Sequence, residues 1–99
     1  MELKPGTYRL EGYIDVPLEH LEAIETALKE HIRLTRDEPG CIYFNVDPCP
    51  DNQGRFIVSE AFVDEAAFAF HQERGGNSPW AEISEGIPRN FKKWVVEKG

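Results

Sequence analysis

The chain has 99 residues, 40% of them hydrophobic and 29% charged, with a formal net charge of −7. That length holds one hydrophobic core and therefore one domain, 1–99. Scattered basic residues on an acidic chain argue against nucleic acid, whose phosphates call for clustered Lys and Arg. No apolar run approaches a membrane span, and residues 1–20 lack a signal-peptide core, so a cytoplasmic location is expected.

The segment "TYRLEGYIDV" (7–16) alternates, with Tyr8, Leu10, Gly12, Ile14 and Val16 on one face, as in a half-buried strand. Pro17 suits the first turn of a helix, and Leu18, Leu21, Ile24, Leu28 and Ile32 form its apolar stripe. His20 and His31 then read as solvated residues on the helix flank. Eleven residues apart, they are about 16 Å from one another, too far to share a metal. "DEPG" (37–40) stops the helix.

"CIYFNV" (41–46) and "RFIVSEAFV" (55–63) read as two strands joined by a long Pro-, Asp- and Gly-containing loop. Cys41 and Cys49 bracket the first of them, too far apart along an extended segment for a disulfide, so both thiols are expected free. Asp64 caps a short helix with Ala67, Phe68 and His71 on its inner side. Gly75–Gly76 reads as a hinge. Beyond it Ser78 and Pro79 have the signature of a third helix, with Trp80, Ile83 and Ile87 as its stripe. "NFKKWVVE" (90–97) closes the chain as a strand.

The order βαββα(α)β is that of a ferredoxin-like α+β fold, a four-stranded antiparallel sheet with helices on one face. Strands 41–46 and 55–63 are apolar on both faces, and helices cover only one. The other face is expected to pair with a second copy, giving a homodimer through the sheet.

Two residues carry candidate chemistry. His71 projects from the apolar side of its helix and can exchange a proton near neutral pH, although a packed core histidine has the same spacing. Glu60 is a carboxylate on the strand face of Phe56, Val58 and Phe62, either a pocket acid or a hydrogen-bond anchor. No phosphate-binding glycine loop, nucleophile elbow or C-x-x-C is present.

At "TRDEPGCIYFNV", "GRFIVSEAFVDEAAFAFH" and "NSPW" the chain resembles the antibiotic biosynthesis monooxygenase (ABM) family, quinol monooxygenase branch. Glu38–Cys41, Glu60, Phe62, Asp64, Glu65, Ala67 and His71 fill the places of the family's pattern. The resemblance implies a dimeric α+β barrel that oxidises a small aromatic substrate, a hydroquinone or an anthrone, with dioxygen and no bound cofactor or metal. It also implies His71 and Glu60 as catalytic groups, with Phe62, Phe68, Trp80, Val58 and Tyr43 as substrate contacts. Val58, Phe62 and Phe68 are apolar where the polyketide-oxidising branch carries polar groups. The strand 7–16 lacks the asparagine that haem-degrading relatives need. A proton-transfer isomerase on the same scaffold, or a ligand-binding dimer without catalysis, are the alternatives.

Overall fold

The computed structural model describes residues 3–97. Four strands form one antiparallel sheet: β1 (Tyr8–Asp15), β2 (Cys41–Pro48), β3 (Arg55–Phe62) and β4 (Arg89–Val95). Their order in the sheet is β2-β3-β1-β4. Three helices cross one face: α1 (Leu21–Arg36), α2 (Glu65–Gly76) and α3 (Pro79–Ile83). This is the ferredoxin-like α+β arrangement.

The pairing sorts side chains cleanly. Leu10 lies opposite Glu60 on β3 and Lys93 on β4, Gly12 opposite Val58 and Phe91, and Ile14 opposite Phe56 and Arg89. All of these share the helix-covered face. Arg9, Glu11 and Tyr13 share the outer face with Ala61, Ser59 and Ile57. Burial follows the alternation, with Leu10, Ile14, Phe56 and Val58 all buried.

Helix α1 begins later than its apolar spacing suggests. Pro17 precedes a 3-10 turn, Leu18–His20, and Leu18 is 55% exposed. The stripe that enters the core is Ile24, Leu28, His31 and Thr35. Ile14, Val16, Ile24, Leu28 and Phe56 make the core cluster, with Trp80, Ile87 and Phe91 packed on it.

The corner between α2 and α3 also differs from expectation. Gly75 and Gly76 are the last residues of α2, and neither has a positive φ. The chain turns at Asn77, whose N–H donates to the carbonyls of Glu73 and Arg74. Ser78 does not cap α3 with its side chain; its hydroxyl donates back to the Gly75 carbonyl at 2.7 Å. Helix α3 is only five residues long, and Ile83 is 41% exposed while Ser84 is buried. The Ser84 hydroxyl donates to the Trp80 carbonyl at 2.6 Å, closing the helix before the stripe reaches Ile87.

Candidate active site

Helix α2 starts where the sequence suggests: the Asp64 side chain accepts from the Ala67 N–H at 2.8 Å. Its path depends on Gly40. A Cβ at that position would collide with the Cβ of Ala67, so only glycine lets α2 lie this close to the start of β2. The close approach brings His71, one turn beyond Ala67, over the end of α1.

There His71 meets Glu38. His71 Nδ1 lies 3.1 Å from Glu38 Oε2, and Arg74 Nε donates to the same oxygen at 2.6 Å. Arg74 is three residues after His71, so both project from one side of α2. Its Nη2 also donates to Thr35 Oγ1 at 2.8 Å, tying α2 to α1. A carboxylate only accepts, so the proton of a neutral His71 sits on Nδ1 and the lone pair on Nε2. That nitrogen is 3.6 Å from Glu60 Oε1, in register across the sheet with Phe44 and Leu10. Glu60 is 6% exposed. Burial, and next the charge of Glu38, push its carboxyl up to about 7.

Phe62 supports this pair from behind. It is fully buried, and its ring stacks on His71 with centroids 4.8 Å apart. The ring of His31 stacks on Trp80 at 5.1 Å and 16°. The two histidine centroids are 5.9 Å apart. His31 is therefore a buried wall residue and not a solvated flank histidine, because it falls three residues after Leu28 on the inward stripe of α1. Burial, followed by the repulsion that a charged His31 would meet from a protonated His71, from Arg74 and from Arg89, holds it down at about 3, neutral across the ordinary pH range. His20 is exposed.

Between the sheet and the helices lies a cavity of about 350 Å³. A void of roughly 150 Å³ already accommodates benzene, so one substituted ring fits. Glu60, His71, Val58, Phe68 and Trp80 line it, joined by Leu10, Phe44 and Phe91. A second space of about 210 Å³ adjoins it and shares His31, His71, Gln72, Trp80 and Arg89 as walls. Two expected ring contacts lie elsewhere. Phe62 is hidden behind His71. Tyr43 points to the outer face, opposite Ala61 and beside Arg9, because it alternates along β2 with the inward Phe44. Among the described residues no set of three or more His, Cys, Asp or Glu is gathered to hold a metal ion. Cys41 and Cys49 are free thiols, and burial raises Cys41 to about 11.

The family profile described as antibiotic biosynthesis monooxygenase matches residues 7–82. The chain belongs to the ABM family. No curated protein matches it in sequence. Among solved structures, an ABM-assigned protein of Nitrosomonas europaea superposes with a TM-score of 0.79 at 20% identity, covering 99% of this chain and 95% of the other. One from Deinococcus radiodurans gives 0.76 at 20%, covering 93% and 92%. MupZ from Pseudomonas fluorescens gives 0.76 at 20%, covering 94% and 70%. At such identities the superpositions establish the shared ABM fold. Glu38 and Asp64, within the matched residues, hold the ABM helix α2 in place at its middle and its start.

Proposed function

We propose that this protein is a cofactor-independent monooxygenase that oxidises a small aromatic substrate of quinol or anthrone type with dioxygen. The observation that carries the reading is a buried, carboxylate-supported imidazole lining a cavity of ring size. His71 Nε2 takes the proton of an aromatic hydroxyl, while Glu38 steadies the imidazolium that forms. Glu60, its carboxyl pushed up to about 7, stands beside that nitrogen as the second proton carrier. The resulting anion is electron-rich. It passes one electron to dioxygen, giving a substrate radical and superoxide, and their combination makes a carbon–oxygen bond. The proton held by His71 then goes to the peroxide. Loss of water leaves a new carbonyl, so one substrate and one dioxygen give one oxidised product and one water. Val58, Phe68 and Trp80 exclude solvent water and hold the reacting pair together.

The outer face of the sheet serves as the dimer surface in the same proposal. Ile57, Val63 and Trp94 are 45%, 49% and 39% exposed. They lie among Arg9, Glu11, Asn45 and Ser59, a more polar face than the sequence alone suggests. Sedimentation at micromolar concentration tests it: a dimer is expected, and a stable monomer contradicts it.

Oxygen uptake with a panel of hydroquinones and anthrones tests the reaction. The account expects uptake with at least one of them, loss of about 10²–10⁴-fold in His71→Ala, and little change in His20→Ala. Equal rates in wild type and His71→Ala overturn it.

A further inference from the structure

The cavity wall contains one permanently charged side chain, Arg89, and the adjoining space contains the same one. Arg89 opens β4, opposite Ile14 of β1, which places it on the helix-covered face of the sheet. Arg9, Arg33, Arg55 and Arg74 each face a carboxylate within 4 Å; among the described residues Arg36 and Arg89 face none, and Arg36 is bonded instead to the Phe44 carbonyl and Asn45, away from the cavity. Among the described residues the side-chain hydrogen bonds of Arg89 come from Nη2, to the Ser84 carbonyl at 3.4 Å and hydroxyl at 3.3 Å. These are long for such bonds and leave most of the guanidinium uncommitted. They nevertheless fix the side chain against the end of α3, next to Trp80.

His31 shares both walls with Arg89. Its buried Nδ1 has no hydrogen-bond partner among the described residues. An unpaired buried N–H costs more than an unpaired lone pair, so the proton belongs on Nε2. That leaves a neutral N–H donor beside an arginine that is exposed at the cavity rim and bonded to no carboxylate among the described residues, in a chain whose net charge is −7. Neither group has a task in the proton transfer at His71 and Glu60.

We propose that Arg89, assisted by the Nε2–H of His31, binds a carboxylate on the substrate, so that the ring entering the cavity belongs to an aromatic carboxylic acid. A planar guanidinium fork matches the two oxygens of a carboxylate. A single arginine is a thin site for a phosphate. The acid group lies in the adjoining space, under the end of α3, and the ring extends past Trp80 toward Glu60 and His71. The inference rests on the reading of this cavity as the substrate site. It adds a recognition element to that reading: a quinol without a carboxylate leaves Arg89 unmatched.

The test is a binding measurement. In a Trp94→Phe background, quenching of Trp80 fluorescence is titrated with 4-hydroxybenzoate and with its neutral isostere 4-hydroxybenzamide. The acid is expected to bind about tenfold more tightly than the amide. Arg89→Gln brings the two together, with an unchanged circular dichroism melt showing that the variant is folded. Lys92→Gln, on the outer face, keeps the preference. In the same background with Arg89 intact, salt near 0.5 M shrinks the preference as expected for a charge contact (about a twofold to threefold ratio remaining). Equal affinities for acid and amide overturn the proposal, as does a preference that survives Arg89→Gln or is indifferent to salt. Phenyl phosphate binding more tightly than 4-hydroxybenzoate overturns the carboxylate assignment. No oxygen chemistry is involved in the readout. A carboxylate preference in a protein that consumes no oxygen therefore upholds this subsite and refutes only the monooxygenase reading.

Discussion

Glu60→Gln replaces a buried carboxyl by a neutral group of nearly the same shape, and its effect on stability can be worked out in advance. In the folded protein this carboxyl is pushed up to about 7 from an ordinary 4.5, by burial first and then by the charge of Glu38. Below pH 4.5 both folded and unfolded chains hold the proton, and the group makes no difference to stability. Between pH 4.5 and 7 the unfolded chain gives the proton up while the folded chain keeps it. The unfolded state then binds fewer protons, and stability falls as pH rises. At about 1.4 kcal/mol per pH unit the whole window is worth about 3 kcal/mol. Glutamine does not titrate. The variant should gain stability relative to wild type by about 3 kcal/mol between pH 4.5 and 7, and by no more above that. Urea unfolding followed by circular dichroism across this window measures the difference. Parallel profiles for the two proteins would refute the argument, since they would mean that Glu60 is solvated or already compensated in the folded state.

His31 acts in the opposite sense. Held down at about 3 from 6.5, it contributes stability that is present above pH 6.5 and lost as pH falls toward 3. From pH 4.5 to 6.5 it offsets Glu60, so the wild type should show a shallow profile there, while His31→Phe should show a clear decline as pH rises through that window. Glu38→Gln keeps the shape of the site but removes the charge that His71 and Arg74 share. A loss of about 2–3 kcal/mol in unfolding free energy is expected, with kcat falling about 10²-fold and KM little changed. Gly40→Ala drives a methyl into Ala67. It should cost about 1–3 kcal/mol in chemical denaturation and lower activity by displacing α2 and His71 with it, whereas Gly76→Ala, with open space at its Cβ position, should not destabilise the protein.

Most of the fold was legible because it is written in local periodicity. Alternation in 7–16, the apolar strands after "DEPG" and the Asp64 cap each specify an element without knowledge of its neighbours. His71 and Glu60 stand out in the sequence because each is a polar residue on an otherwise apolar face, and both line the cavity. What failed depends on distant partners. Glu38 sits in a helix-stop motif, and its burial is intelligible only through Arg74, 36 residues away. His31 reads as a flank residue because Leu18 and Ile32 draw the apparent stripe off course; the run Ile24, Leu28, His31, Thr35 is the signal that places it inward. Tyr43 is a different case: strand parity alone sets it on the face opposite Phe44 and Val46, and only the family resemblance suggests it as a ring contact. Two adjacent glycines suggest a hinge; in the structure they close α2, and hydrogen bonds from Asn77 and Ser78 shape the corner that carries Trp80 to His31.

The central claim is that a phenol entering the cavity gives its proton to His71. Anaerobic titration with 4-nitrophenol measures that step alone, since the anion is yellow and the neutral phenol is not. The account predicts that the bound phenol ionises at a lower pH in wild type than in His71→Ala. Identical ionisation curves for the two proteins, with binding confirmed in both, would contradict it.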